Sequence, residues 1–232
     1  MEKLDTRLIK NFEERNLSKH SLGWISDYRS TAINLVKEMG MPKLSDEDWR
    51  FTSLKDFSLK DFSPIFSSKS NFKKPSLPDY IDKIDGYFIY IHNGNLVSGT
   101  EYPFIVEPLE ASFEYPEVKK VLLDDTLSKN KDFFYELGSD FIENGLYLKI
   151  NKSQKIDKPI IIINSFDSEL DNKFLNTRNI FFSGESSSAE IIEYSLSDSQ
   201  NEYFLNKTTT VNIESNSNVE HLLVDAGNKK SY

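Results

Sequence analysis

The chain has no cysteine among its 232 residues. That absence removes disulfides, thiolate nucleophiles and cysteine-ligated zinc or iron–sulfur clusters from anything the chain does alone. It also fits a reducing compartment. Histidine is almost as scarce: His20, His92 and His221 are the three, and none stands in an HxH or HExxH spacing. Tryptophan is limited to 2 residues against 17 Phe and 11 Tyr, an aromatic balance that suits β-structure. No apolar run reaches the roughly 18 residues of a membrane span. Met1-Glu2-Lys3-Leu4-Asp5 does not begin a secretory signal, so a cytoplasmic protein with no membrane partner is expected. Glycine-rich phosphate loops are missing as well: neither GxxxxGK[ST] nor GxGxxG occurs.

Positive charge is short only in the second half. Residues 1–80 carry 14 Lys and Arg against 12 Asp and Glu, while residues 81–232 carry 14 against 25. The front is therefore +2 and the back −11, which together make the net −9. A nucleic-acid groove needs clustered Lys and Arg, so the acidic back half argues against that partner. With 38% hydrophobic residues, the chain can still bury a core as one large domain, or as one domain with a helical appendage.

The elements that are present follow in order. Residues 2–17 read as a charged helix and residues 20–39 as a stronger one, with Leu22, Ile25, Tyr28, Ala32, Ile33, Val36 and Met39 at helical spacing. Gly40 and Pro42 stop it. Residues 1–57 thus form an N-terminal helical region. Residues 58–80, rich in Ser, Lys and Pro with breakers at Pro64, Pro75 and Pro78, form an extended linker. Residues 81–232 form an α/β segment that turns into strands. Within it, "GYFIYIHNGNLVSG" predicts a β-hairpin about Asn93-Gly94. Residues 116–123 and 131–143 predict two short helices, the second closed by Gly145 after Asn144. From "LYLKI" (146–150) and "KPIIIINSF" (158–166) onward only strands are expected. The fold class is mainly β with an N-terminal α-helical region.

A weak repeat closes the chain. "FFSGESSSAEIIEY" (181–194) precedes "VNIESNSNVEHLLV" (211–224) by thirty residues, so that Ala189-Glu190 falls on Val219-Glu220 and Ile192 on Leu222. Stacked coils of a β-solenoid produce such spacing. A β-sandwich of hairpins would read the same way, and the pattern alone leaves both open.

Chemistry is sparse. No GxSxG elbow accompanies a histidine and an acid, and "FSGESSS" reads as a turn. The carboxylates of Asp124-Asp125 are adjacent in sequence and so diverge in space, which suits acid–base work poorly. His221 is the one worth weighing for a metal, with Glu220 before it and Glu190 and Glu193 in the previous repeat; Glu190 and Glu220 are the carboxylates to set beside it. If coils stack, Glu190 neighbours Glu220 while His221 points to the other face beside Ile191. A partly buried histidine near solvated carboxylates is the plainer reading.

"MPKLSDEDWRFTSLKDF" (41–57) holds the most distinctive run. In an extended segment Trp49 and Phe51 project to one side, Arg50 and Thr52 to the other. Two aromatics of about 150–250 Å² each make a packing anchor between the helices and the β part. An aromatic clamp for a ligand is the rival reading.

The same run, from Gly40 and Pro42 through Glu47, Trp49, Arg50, Phe51, Thr52 and Leu54, closely resembles the SufB/SufD family of iron–sulfur cluster assembly subunits, on its SufD side. "GYFIYIHNGNLV", "ENGLYLKINKSQKIDKPIIIINSF", "AEIIEYSLS" and "NVEHLLVDAGN" match family segments in the same order, across nearly the whole chain. The resemblance implies a right-handed parallel β-helix behind the helices, and a non-catalytic scaffold with a SufB-like paralogue and a SufC-like ATPase as partners. The iron–sulfur cluster then belongs to the complex, with no cofactor in this chain. Family members continue through further coils to C-terminal helices that dock the ATPase, and the cysteine and histidine positions tied to cluster handling lie there. None transfers, and the chain reads as an N-terminal, truncated portion. The Trp-Arg-Phe-Thr run and the lack of cysteine lean to SufD over SufB. Two rival functions stay in view: a carbohydrate-active β-solenoid enzyme, and a generic protein-binding adaptor.

Overall fold

A computed structural model describes residues 3–15, 19–66, 72–97, 101–124 and 132–232. Part of the expected linker (67–71), the ends of two expected helices (2, 16–17 and 131) and Asp125 lie outside the described residues. The fold mixes α and β structure, and the chain divides into two units: residues 1–64 with 113–142, and residues 65–112 with 143–232.

The first unit is helical. Helix α1 (Leu4–Glu14) buries Leu4, Leu8 and Phe12, one stripe at four-residue spacing. Helix α2 (Gly23–Met39) buries Ile25, Tyr28, Ala32, Ile33 and Val36 as the period predicts, and Arg29 with them. The expected stripe is shorter at its end, because Met39 is 44% exposed. Gly40 stops the helix at φ +61, its N–H reaching Val36 O. Helix α4 (Pro116–Leu122) starts on a proline, whose missing N–H costs nothing in a first turn. Helix α5 (Phe133–Asp140) is capped by the Asp132 carboxylate, which accepts from Tyr135 N. Tyr28 Oη donates to Ser139 Oγ at 2.9 Å, and Arg29 donates to Ile142 O at 2.5 Å, fastening α2 to α5 and the residues just after it. Phe12 and Phe141 meet edge-on with centroids 5.8 Å apart. Asn144 and Gly145 do not close α5, which has ended by Phe141; they lead into the next strand, where Asn144 O accepts from Arg178 N and Gly145 O from Leu109 N.

The short strand β1 (Ser63–Ile65) lies where the chain passes into the second unit. There, β2 (Tyr87–His92) and β3 (Asn95–Leu96) form the expected hairpin. Its turn needs left-handed backbone at both centre residues, and Asn93 (φ 45) with Gly94 (φ 80) supplies it. Strand β4 (Ile105–Pro108) pairs antiparallel with β5 (Leu146–Ile150). From β5 on, successive strands alternate between two sheets. Strands β5, β7 (Lys173–Ser183) and β9 (Phe204–Ile213) run parallel in one. Strands β6 (Ile160–Phe166), β8 (Ser188–Ser197) and β10 (Asn218–Ala226), with β2, run parallel in the other. A four-residue helix, α3 (Asp79–Asp82), also belongs to this unit.

Side-chain alternation sorts the two faces of the second sheet. Ile89, Ile91, Ile160, Ile162, Ala189 and Ile191 join Leu146, Leu148, Ile150 and Phe181 of the first sheet in one core cluster. Ile161, Ile163 and Tyr194 on the opposite face are covered by Ile81 of α3 with Leu77 and Ile84. Cover on both faces explains why β6 reads as an unbroken isoleucine run. The thirty-residue repeat is also physical: Phe181 pairs with Val211 and Glu190 with Glu220. Like stacks on like along it. Phe174 stacks on Phe204 at 4.7 Å, and Asn206 Nδ2 donates to Asn176 Oδ1 at 3.1 Å. The turns stack too. Ser153, Ser186 and Asn216 all hold φ near +60°, and Ser186 N donates to Ser215 O of the next turn.

Candidate functional site

The sequence singled out two places. At the first, residues Glu47–Trp49 form a single 3-10 turn, not an extended strand, so Trp49 and Phe51 do not share one side by alternation. Trp49 packs on Phe134 of α5 with centroids 5.4 Å apart, and Phe57 packs on the same ring at 6.1 Å. Arg50 pairs with Glu47 at 2.7 Å and lies over the Phe51 ring at 4.7 Å. Phe51 itself is 87% exposed, and Thr52 is exposed as well. Trp49 therefore makes aromatic contact inside the helical unit, while Phe51 presents its ring to solvent.

At the second place, the parallel register puts Glu190 beside Glu220 and His221 beside Ile191. Side chains alternate along a strand, so the two glutamates share the outer face while His221 turns inward. There the imidazole edge meets Phe181 at 5.7 Å. The three residues weighed for a metal are thus not brought together. Glu190 and Glu220 instead line a shallow cavity of about 220 Å³ with Asp157, Lys158 and Asn218.

What His221 does meet is Glu193, the other glutamate of the previous repeat. His221 Nε2 donates to Glu193 Oε1 at 3.0 Å, Lys207 Nζ donates to Oε2 at 3.0 Å, and Thr209 Oγ1 donates to Oε1 at 3.3 Å. Three strands converge here: β8 brings Glu193, β9 brings Lys207 and Thr209, and β10 brings His221. The Glu193 side chain is 0% exposed, Lys207 15% and His221 24%. Burial alone would raise the Glu193 carboxyl, but the His221 hydrogen bond and the Lys207 charge outweigh it and hold the group below its ordinary value. The signal was present in the sequence. Ala189, Ile191 and Glu193 have the same parity in β8, so an acid sits on the apolar face of the strand pattern.

Chemically, this cluster is a satisfied ion-pair network. All the donors converge on one carboxylate, and Lys207 places a positive charge where a metal ion would have to sit. Among the described residues, no group of three or more His, Cys, Asp or Glu is arranged to hold a metal ion. Among the same residues, no helix is long and apolar enough to cross a membrane.

Comparison with curated proteins found no match. The family model of the SufBD protein N-terminal region matches residues 2–162, from α1 into β6, which includes the Trp49 run and stops short of the Glu193 network. That span is well over half of the 232 residues, and the chain belongs to the SufBD family, with the iron–sulfur cluster assembly context that family carries.

Proposed function

We propose that the chain is the N-terminal portion of a SufD-type scaffold subunit of the SUF iron–sulfur cluster assembly complex. In this reading it works in the cytoplasm beside a SufB-like paralogue and a SufC-like ATPase. It neither hydrolyses ATP nor holds a cluster alone. The iron–sulfur cluster is cargo of the whole complex. The alternation of strands between two parallel sheets is read as the first coils of a right-handed parallel β-helix.

The family match over residues 2–162 carries the proposal. The stacking of Phe174 on Phe204 and of Asn176 on Asn206 supports the β-helix part, because repeated coils superpose like residues. The Trp49-Arg50-Phe51-Thr52 run supports the SufD side, and the lack of cysteine supports the absence of a resident cluster.

The test is co-purification of the tagged chain, extended by whatever its reading frame encodes, with SufB-like and SufC-like proteins from the source genome. A stable complex is expected, with ATP hydrolysis following the ATPase and the cluster chromophore following the assembly. A stoichiometric chromophore on this chain alone, or failure to bind either protein, would sink the proposal.

A further inference from the structure

A cavity of about 360 Å³ opens in the second unit, lined by Lys73, Pro75, His92, Ser165, Asp167 and Leu196 among others. That is a volume suited to a small molecule. Its floor carries a polar arrangement that neither the family nor the sequence motifs assign. Parallel pairing of β2 with β6 sets His92 directly opposite Ser165. Ser165 Oγ lies 2.9 Å from His92 Nδ1, and His92 Nε2 lies 3.3 Å from Asp167 Oδ2.

The donor roles follow from chemistry. An ionised carboxylate only accepts, and Asp167 stands on the Nε2 side of the ring as an ion-pair contact, so the tautomer that suits it carries the proton on Nε2. Nδ1 is then the bare nitrogen, and it accepts from the Ser165 hydroxyl. The hydroxyl's other acceptor, Ile91 O, is farther away at 3.3 Å. Asp167 is itself held in place. Its Oδ1 accepts from Asn93 Nδ2 at 2.8 Å and from Glu169 N at 2.9 Å, and its N–H donates back to Asn93 Oδ1 at 3.1 Å. His92 is 8% exposed, and its ring meets that of Phe72 edge-to-face with centroids 5.7 Å apart. A hydroxyl, a base within hydrogen-bond reach and an acid that orients the base make up the grouping that activates a serine. The two ring nitrogens exchange their usual partners here. Either can play either part, since which one carries the proton is set by the hydrogen bond that the other makes.

We propose that Ser165 is an activated nucleophile and a site of covalent acylation by small esters or thioesters. The Ser165 Oγ lone pair attacks the acyl carbon while the hydroxyl proton moves to His92 Nδ1. The bond from acyl carbon to the leaving oxygen or sulfur breaks, and that atom departs with the electron pair. It then takes up the proton from His92, which leaves an acyl-serine and a neutral alcohol or thiol. Lys73, which lines the cavity together with Asp198, is the group assigned to meet the carbonyl oxygen as it turns anionic. Pro75 and Leu196 offer apolar surface to the acyl chain. This chemistry is separate from the scaffold role and does not depend on it.

The experiment exposes the purified chain to p-nitrophenyl acetate and, separately, to a fluorophosphonate, and follows both by intact-mass and peptide mass spectrometry. One adduct per chain is expected, on Ser165, and it should vanish in Ser165→Ala and in the urea-unfolded chain. Labelling should slow about tenfold or more in His92→Gln and in Asp167→Asn, since base assistance is worth that much or more. Circular dichroism shows which variants stay folded, and the comparison rests on those. A folded wild type that takes no label from either reagent overturns the proposal. So does a label confined to other residues, or one that reaches Ser165 at an unchanged rate in a folded His92 or Asp167 variant.

Discussion

Asp140, at the end of α5, is 0% exposed, and neither of its carboxylate oxygens has a hydrogen-bond partner. Burial, then the nearby Glu136, push its carboxyl up to about 9, with Lys37 pulling slightly the other way. The group is therefore protonated in the folded chain at neutral pH and ionised in the unfolded one. The native state binds the extra proton, so stability falls as pH rises from the ordinary carboxylate range toward 9. Asp140→Asn keeps the shape and removes that loss. It should stabilise by on the order of 2–4 kcal/mol at pH 7, with the gain shrinking toward pH 4. Urea midpoints measured across pH check it. Glu193 behaves in the opposite sense, since its carboxyl is held low in the folded state. Its contribution is complete above the ordinary carboxylate range and is lost as pH falls through the lowered folded value. Glu193→Gln should destabilise by about 3 kcal/mol at pH 7, because Lys207 then lacks its counter-charge. The difference from wild type should close in acid, which the same urea series would show.

Strand pairing explains other positions. Gly145 enters β5 at φ 136, and a Cβ there would be built into the backbone carbonyl of Arg178. Arg178 is in β7, the parallel neighbour of β5. Gly145→Ala should therefore cost about 3 kcal/mol or more, combining backbone strain with a separation of the two strands. Thermal unfolding by circular dichroism reads that loss. Glu190 and Glu220 face each other across β8 and β10 with like charge. Glu220→Lys turns repulsion into attraction and should stabilise by about 0.5 kcal/mol, since directly opposed strand pairs contribute at that level. High salt should erase most of that gain, because the pair is exposed and screened.

At the scale of the molecule, and among the described residues, β9 and β10 each pair with a strand on one side, β7 and β8 respectively. The start of β9 is met on its other side by Tyr232, which exchanges backbone hydrogen bonds with Tyr203 and Leu205. Ile213, Leu222 and Leu223 on these strands are 50%, 56% and 55% exposed. Edge strands that show apolar side chains template pairing with another chain. Light scattering of the isolated chain should show concentration-dependent association, and Leu223→Lys should suppress it. A scattering signal unchanged by Leu223→Lys would place the association elsewhere.

The one-dimensional sequence determined whatever depends on period and local turn chemistry. The stripes of α1 and α2, the Gly40 stop, the Asn93-Gly94 hairpin and the thirty-residue register of Glu190 on Glu220 were all legible from spacing. Each is set by residues close in the chain or by repetition of the chain itself. Tertiary structure alone decided which distant residues meet. It put Trp49 against Phe134, Glu193 against Lys207 and His221, and His92 between Ser165 and Asp167. Those partners are separated by 14 residues at the least and by 73 between His92 and Ser165, and no local pattern encodes which strand of one sheet will face which strand of the other. The fold supplies that pairing because burying the isoleucines of β6 on both faces fixes every neighbouring strand in register.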